Sequence, residues 1–310
     1  MYTKIMKLLR SPLSHYISIT GLYLLLALLL PANKVAMSTY HLNSLEYHVL
    51  LFVVVLPFTA IWFAAFYGYN KLRSYANAVR DTPEGEDFNK LADGCGWLAY
   101  SLPVAALVAI VLSSIANGHP GFHRWSVILT NYISLILPLI AFSKLSNGAR
   151  ELSTRAGARL NIGRAKSIII LFVCLGVLYC YLTFRHFNLI STVSADNAYF
   201  LPVWIAVATV IIPYLYAWFV GLLAAYEIVL FSQETKGLIY RRALSYMGYG
   251  IAAVIGGSIA YQYLSSVVPR TGSISLNYAL ATIYLFQLVS VIGYTLIALG
   301  ATRLKRIEEV

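Results

Sequence analysis

The amino-acid sequence predicts an all-α, polytopic membrane helical bundle in which eight transmembrane helices form two tandem, parallel four-helix repeats. Three observations predict this fold class. Hydrophobic residues make up 59% of the 310 residues and charged residues only 11%, which is too little polar surface to cover a water-soluble globule of this size. Eight apolar stretches are long enough to cross the roughly 30 Å of hydrocarbon in a bilayer. Motifs of the first half also recur in the second half at a nearly constant distance.

The repeat is carried by short matched motifs. LPFTAIWF, which contains Pro57, recurs 156 residues later as IPYLYAWF, which contains Pro213. GCG at 94–96 then matches GYG at 248–250 at a distance of 154, and Gly148 matches Gly300 at 152. Two short deletions explain the change in distance. We expect membrane repeat one to cover residues 1–155 and membrane repeat two to cover residues 156–310, related by a pseudo-twofold axis along the membrane normal.

The predicted spans follow one another with short connections. Their approximate ranges are 13–30, 48–69, 97–115, 125–142, 167–184, 200–226, 243–264 and 278–299. Span one follows three basic residues and resembles a secretory signal peptide. We expect it to be retained as a membrane anchor, because no A-x-A cleavage site follows it and span five matches it. Spans two and six are expected to continue as helices past the bilayer.

The net charge of +11 is explained by membrane topology rather than by nucleic acid. All but four of the 23 Lys and Arg residues fall on the side that carries both termini and the loops after spans two, four and six; the exceptions are Lys34, Arg124, Arg185 and Arg270. Cytoplasmic loops are enriched in basic residues in this way. The pattern predicts a multi-pass protein of the plasma (cytoplasmic) membrane with both termini in the cytoplasm, and no nucleic-acid partner is expected.

Two polar segments lie on the predicted cytoplasmic side. The loop 144–166 carries six basic residues and one Glu, so it is a candidate surface for anionic lipids as well as a topology signal. The stretch 81–93 carries five carboxylates without the regular spacing of a calcium loop. We expect a solvated turn there, whose carboxylates balance nearby cations.

Glu227, directly after predicted span six, is the one plausible candidate for a charge in the membrane, where a charge is costly unless it is paired or wetted. The repeat places it opposite Lys71, near the cytoplasmic interface. A structural role is the expectation, and an ion pair between Glu227 and Lys71 across the pseudo-twofold axis is one specific form of it. The scarcity of buried acids argues against a proton-coupled pump.

Span eight carries an uncharged polar stripe at helical spacing: Tyr284, Gln287, Ser290 and Tyr294. This stripe either lines a cavity or holds neighbouring helices together by hydrogen bonds. Pro57 and Pro213 occupy equivalent positions in spans two and six, where each removes a helical hydrogen bond. They are interpreted as shared kinks, and the alternative is a pair of hinges for a gating motion.

Span seven carries small residues at strict four-residue spacing: Gly248, Ala252, Gly256 and Ala260. A flat strip of this kind lets another helix approach closely, so it predicts helix packing. The matched strip in repeat one reads Gly94, Leu98, Leu102 and Ala106; its two middle residues are larger, so the two repeats should pack differently.

No catalytic motif is visible in the sequence: there is no Walker loop, no H-E-x-x-H and no nucleophile constellation. We therefore expect no catalytic residue, no cofactor and no metal site. Five of the six histidines fall on or near the external side, at positions 41, 48, 119, 123 and 186. They are interpreted as interfacial residues, and a membrane enzyme that uses them is a third hypothesis.

The first functional hypothesis is a transporter or permease-like protein with a site between the repeats. Its solute would be neutral, amphipathic or lipid-like, because the spans offer hydroxyls and amides but few charges. The second is a non-catalytic membrane scaffold, or an accessory subunit that binds a membrane protein partner. A polar cavity inside the bundle favours the first hypothesis.

Overall fold

The structure, a computed structural model, describes residues 43–118, 123–155, 212–234, 238–267 and 276–308, with a few positions in 17–22 and 170–177. These ranges form six long helices, and no strand occurs among them. The helices are α1 (Ser44–Ala78), α2 (Gly85–Gly118), α3 (His123–Arg155), α4 (Ile212–Glu234), α5 (Leu238–Val267) and α6 (Leu276–Glu308). They correspond to predicted spans two, three, four, six, seven and eight. Spans one and five, and the first residues of span six, lie outside the described residues.

The helices have the length and composition of membrane spans. Five stretches among the described residues qualify: Gly85–Leu112, Tyr132–Arg155, Ile212–Gln233, Tyr240–Tyr261 and Ile283–Leu304. Large apolar side chains on their outer faces are exposed, including Val111, Ile136 and Leu288. Such surfaces are unfavourable in water and favourable against lipid. The protein is therefore a membrane-embedded helical bundle.

The helix ends are set by local sequence. At the start of α1, the Asn43 side chain accepts a hydrogen bond from the Glu46 amide, and the Glu46 carboxyl accepts one from the Asn43 amide. This reciprocal pair satisfies two backbone donors that the helix leaves free. At 35 residues α1 is about 52 Å long, so it extends beyond a bilayer.

A tight turn joins α1 to α2. Gly85 begins α2 at a point where a Cβ atom would lie 2.3 Å from the Val79 carbonyl oxygen, so a glycine is required there. The carboxylates of the stretch 81–93 divide between this turn and α2. Most are at least partly exposed, as expected for a solvated turn, but the side chain of Asp87 is fully buried.

The six helices close into a ring. Each helix has its main contacts with two neighbours, in the order α1, α2, α3, α4, α5 and α6, and α6 returns to α1. One end of this ring is formed by residues 71–93, 144–155, 227–234, 238–247 and 298–306, and we call it the basic end. Large side chains such as Tyr75, Phe88 and Leu152 are fully buried there, so the helices pack closely at the basic end.

Two glycines bring α5 and α6 into close contact. A Cβ atom at Gly250 would lie 2.6 Å from the Gly293 carbonyl oxygen, and one at Gly293 would lie 2.8 Å from the Gly250 carbonyl oxygen. Gly257, two turns further along α5, lies against Val289 in the same way. Small residues allow such backbone approach in membranes, where lipid gives little hydrophobic drive for helix association.

The small-residue strip predicted on span seven is not a single contact surface. Gly248 does pack, against Ala225 and Val229 of α4, and Ala252 lies against the buried core. Gly256 is exposed, and a Cβ atom there would meet nothing within 4 Å; Ala260 is only partly buried. A strict four-residue spacing drifts around a helix that has 3.6 residues per turn, so the strip leaves the interface.

Gly250→Ala is expected to destabilise the bundle, because the added methyl group overlaps the α6 backbone. Overpacking of this kind typically costs about 1–3 kcal/mol. Gly256→Ala is the matched control, since the same methyl group enters open space and alanine is the better helix former by about 1 kcal/mol. Unfolding of the purified protein in detergent measures both changes. Equal losses of stability for the two variants would contradict the assigned contact.

Candidate functional site

A cavity of about 260 Å³ lies inside the ring, near the middle of the helices. Five helices line it. Its residues are Leu98, Ser101, Leu102 and Ala105 of α2, Ser134, Leu135, Pro138 and Phe142 of α3, Tyr214, Ala217 and Trp218 of α4, Val254, Ile255, Ser258 and Tyr261 of α5, and Phe286, Ser290 and Tyr294 of α6. The cavity therefore joins helices from both halves of the sequence.

Six of the eighteen residues that line the cavity are aromatic. The Trp218 ring lies 6.0 Å from the Tyr214 ring, centroid to centroid, and the Tyr261 ring lies 5.2 Å from the Phe286 ring. Both distances are in the range of favourable ring contacts. The Trp218 indole nitrogen donates a hydrogen bond to the Ser258 hydroxyl at 3.2 Å, which holds α4 to α5 at the cavity wall.

Four serines supply hydroxyl groups to this apolar space: Ser101, Ser134, Ser258 and Ser290. A serine hydroxyl has one donor and two acceptor positions, so it can serve a carbonyl, a hydroxyl or an amide of a bound molecule. The Ser101 hydroxyl donates to the Leu98 carbonyl at 2.8 Å and keeps acceptor capacity. No lining residue carries a charge, and a desolvated ion would find no counter-charge there. The chemistry of the cavity suits an uncharged, partly apolar molecule.

The polar stripe predicted on span eight divides between two environments. Ser290 and Tyr294 line the cavity and are both buried. Tyr284 instead donates a weak hydrogen bond to the Val53 carbonyl of α1, at 3.4 Å. Gln287 is buried on α6, one residue after Phe286, but it is not a cavity residue. One part of the stripe therefore faces the cavity, and another part holds α6 to α1.

Neither predicted proline lines the cavity. Pro57 lies inside α1, and Pro213 is the second residue of α4 as described, next to the cavity residue Tyr214. Pro138 of α3 does line it, one helical turn after Ser134. The sequence did not identify Ser134 and Pro138 as cavity residues, and it did not identify Trp218 and Ser258 as such either. The one signal for Pro138 was a proline inside an apolar span, which also occurs in α2 at Pro103.

Glu227 is buried between α3 and α4, where the Ser146 hydroxyl donates to its carboxyl at 2.7 Å. Lys71 has a different neighbour: its ammonium group lies 5.3 Å from the centre of the Tyr67 ring, a cation–π contact. The structure thus gives each residue its own partner, and it does not form the predicted ion pair between Glu227 and Lys71. A hydroxyl donor satisfies the buried carboxyl without a second buried charge.

Ion pairs join α1, α2 and α3 at the basic end. Asp93 of α2 contacts Arg73 of α1 at 2.9 Å and Lys144 of α3 at 3.7 Å. Buried Asp87 contacts Arg155 of α3 at 2.8 Å, and Lys90 pairs with Glu151. Two basic residues of the loop 144–166, Lys144 and Arg155, are therefore matched with carboxylates; the part of that loop beyond 155 lies outside the described residues.

A tyrosine pair crosses the ring at the same end. The hydroxyls of Tyr75 on α1 and Tyr240 on α5 are hydrogen-bonded to each other. Tyr75 also packs edge-on against the Phe88 ring, at 5.0 Å between centroids. These contacts close the basic end below the cavity. Within the ranges that the structure covers, no group of three or more His, Cys, Asp or Glu side chains is arranged to hold a metal ion.

Removing the Ser146 hydroxyl is expected to destabilise the fold, because the buried Glu227 carboxyl loses its donor. Ser146→Ala should cost about 1–3 kcal/mol, and much less in a Glu227→Leu background, where there is no acceptor to leave unsatisfied. Unfolding in detergent of the single and double variants gives the coupling energy. Lys71→Gln is the control, and its effect should add to that of Glu227→Leu. A Lys71–Glu227 coupling as large as the Ser146–Glu227 coupling would contradict the assigned partners.

Comparisons with known proteins gave no match at any level. No protein-family model matches the chain. A search of curated proteins found no similar sequence, and a search of solved structures found no similar fold. The cavity, its serine hydroxyls and its aromatic wall are therefore the observations from which a function is inferred.

Proposed function

We propose that this protein is a transporter or permease-like protein for a neutral, amphipathic or lipid-like solute, which occupies the central cavity. The cavity itself carries the proposal: it is lined by helices from both halves of the chain, and it combines serine hydroxyls with an aromatic wall and no charge. Sites between repeats at mid-membrane depth are typical of transporters. A non-transporting scaffold has no need of such a cavity.

We also infer that α1 to α3 and α4 to α6 are the described parts of two parallel repeats. The contacts of four glycines support this inference. Gly94 of α2 lies against Ala141 and Leu145 of α3. Gly250 of α5 lies in the same way against Gly293 and Ile297 of α6, so Gly293 corresponds to Ala141 and Ile297 to Leu145. The α2 and α5 positions differ by 156, and the α3 and α6 positions differ by 152.

A second pair of glycines gives the same two distances. Gly148 of α3 lies against Asp87 and Leu91 of α2. Its counterpart is Gly300 of α6, which lies against Ala243 and Met247 of α5. The contacts therefore support a sequence separation of 156 residues between matched positions of α2 and α5, in place of the 154 residues that the GCG and GYG motifs indicate. A single four-residue deletion before α6 then explains the sequence drift.

The two inferred interfaces between repeats are α3 with α4 and α6 with α1. At the first, Ser146 meets Glu227. At the second, a Cβ atom at Gly68 would lie 3.1 Å from the Ala298 backbone. Ala298 corresponds to Ser146 at the distance of 152. At this matched position the first interface therefore has a polar pair and the second has two small residues, so the symmetry of the two interfaces is broken at the buried carboxyl.

The closed basic end fits one state of an alternating-access cycle. The basic end is closed by the Tyr75–Tyr240 hydrogen bond and by fully buried side chains such as Leu91 and Leu145. We infer that this end faces the cytoplasm, with both termini on that side of the plasma membrane, because cytoplasmic segments are enriched in Lys and Arg. Rocking of one repeat against the other would open it.

Filling the cavity is expected to block transport. Ala105 lines it, so Ala105→Trp should abolish flux of a solute into proteoliposomes; Val111→Trp on the exposed face of the same helix is the matched control and should leave flux unchanged. Fluorescent phospholipids and uncharged amphipathic solutes form the test panel. Flux that is absent for the whole panel, or equal in both variants, would overturn the proposal.

Ser258→Ala covers the case in which Ala105→Trp does not fold. Loss of a hydroxyl that hydrogen-bonds to the bound solute should raise the half-saturating solute concentration about fivefold. A net contribution of about 1 kcal/mol from one hydrogen bond corresponds to that factor. The alternative function, a scaffold or accessory subunit, predicts a stable membrane protein partner on co-purification and no effect of either cavity variant.

A further inference from the structure

A second cleft lies at the basic end, on the outer surface of α5. Its volume is about 400 Å³, and it is lined by Arg241, Arg242, Ser245, Tyr246 and Tyr249. Both arginines and Tyr249 are exposed. The cleft is separate from the central cavity, with which it shares no residue.

The charge of this cleft is not neutralised by the side chains that the structure describes. No carboxylate among them lies within ion-pair distance of Arg241 or Arg242, whereas Arg73, Lys90, Lys144 and Arg155 all pair with acids at the same end of the ring. The guanidinium of Arg303 adds a third positive charge beside the cleft, 4.5 Å from the centre of the Tyr246 ring. Three cations therefore converge on one surface.

A cleft on α3, also at the basic end, provides the contrast. It has about 470 Å³ and is lined by Asn147, Arg150, Glu151, Thr154 and Arg155 of α3. That cleft is similar in size and also contains two arginines, but Glu151 lies within it and Arg155 is paired with Asp87. An anion would meet a carboxylate there. Basic character alone thus does not distinguish the α5 cleft, but its lack of a described counter-charge does.

The position of the α5 cleft along the helix matches the depth of lipid headgroups. The apolar span of α5 begins at Tyr240, so the two arginines lie at the edge of the hydrocarbon. They also lie in the first turns of a helix that begins at Leu238, where the backbone dipole favours a negative group. Tyr249 follows Arg242 by seven residues and Gly256 follows by fourteen, so all three share one exposed face of α5.

We propose that this cleft binds an anionic phospholipid. Its phosphate contacts the guanidinium groups of Arg241 and Arg242, which match phosphate oxygens in geometry and charge. The acyl chains run along the exposed face of α5 over Tyr249 and the open surface at Gly256, where no described atom lies within 4 Å of the position that a Cβ atom would take. Basic pockets on the cytoplasmic side of membrane helices bind phospholipid headgroups by this chemistry.

The test is lipid binding to the full chain in a zwitterionic detergent, measured by native mass spectrometry with phosphatidylglycerol, and with phosphatidylcholine as the neutral lipid. The Arg241→Gln/Arg242→Gln double variant should lose phosphatidylglycerol affinity by roughly 30-fold, about fivefold for each arginine near an anionic headgroup. Arg80→Gln/Arg150→Gln is the matched control: it removes the same charge from exposed arginines elsewhere at the basic end, and it should change the affinity less than about twofold.

Three results would overturn the proposal: no loss in the first double variant, an equal loss in the control, or binding of inorganic phosphate as tight as that of the lipid, which would indicate a site for soluble anions. Tyr249→Ala keeps the charge and removes an acyl-chain contact, so it should weaken lipid binding without weakening phosphate binding. It also tests the site if the double variant unfolds. None of these residues lines the central cavity, so flux and lipid binding fail or succeed separately.

Discussion

Close backbone contact between helices is the constraint on which the rest of the structure depends. Lipid tails are as apolar as leucine side chains, so helices in a bilayer gain stability from fitted surfaces and internal hydrogen bonds. Gly94, Gly148, Gly250 and Gly300 each bring a neighbouring backbone or side chain to a distance that a Cβ atom would obstruct. Because these contacts bring α2 to α3 and α5 to α6 near the basic end, the ring is tightly packed there and the cavity lies further along the helices.

The cavity is uncharged because the charged groups of the described helices lie elsewhere, several of them with partners of their own. The ion pairs of the first three helices lie at the basic end, and the buried Glu227 is satisfied by Ser146, so no charged group faces the centre. The polar side-chain groups that line the cavity are then hydroxyls and the Trp218 indole. A hydroxyl costs far less to bury than an ion and can exchange one partner for another. Under the proposed function, an uncharged solute would therefore enter and leave without the loss of a fixed ion pair.

Much of the fold is predictable from the sequence because a bilayer imposes a length and a polarity on each helix. The six described helices fall where apolar stretches predict them, and Ser290 and Tyr294 line a cavity as one interpretation of the span-eight stripe had it. Spacing alone does not specify which neighbour a residue meets. Gly250 and Gly256 lie in one run of small residues, yet only Gly250 lies against another backbone. Likewise, nothing local to Glu227 indicates that its partner is a serine 81 residues earlier in the chain.

The basic residues of the first three helices and those of α5 and α6 have different partners, because the carboxylates are unevenly distributed. The positive-inside rule accounts for the sign of the charge at one membrane face, but it does not say which cations remain available to a ligand. In the first three helices carboxylates of α2 and α3 are matched with Arg73, Lys90, Lys144 and Arg155, so these cations stabilise the contacts between helices. In α5 and α6 a tyrosine ring supports Arg303 in place of a carboxylate, and the charge of that arginine is not cancelled. Arg241, Arg242 and Arg303 therefore have no carboxylate partner among the described side chains, so an anionic headgroup at the α5 cleft would meet positive charge that is not cancelled.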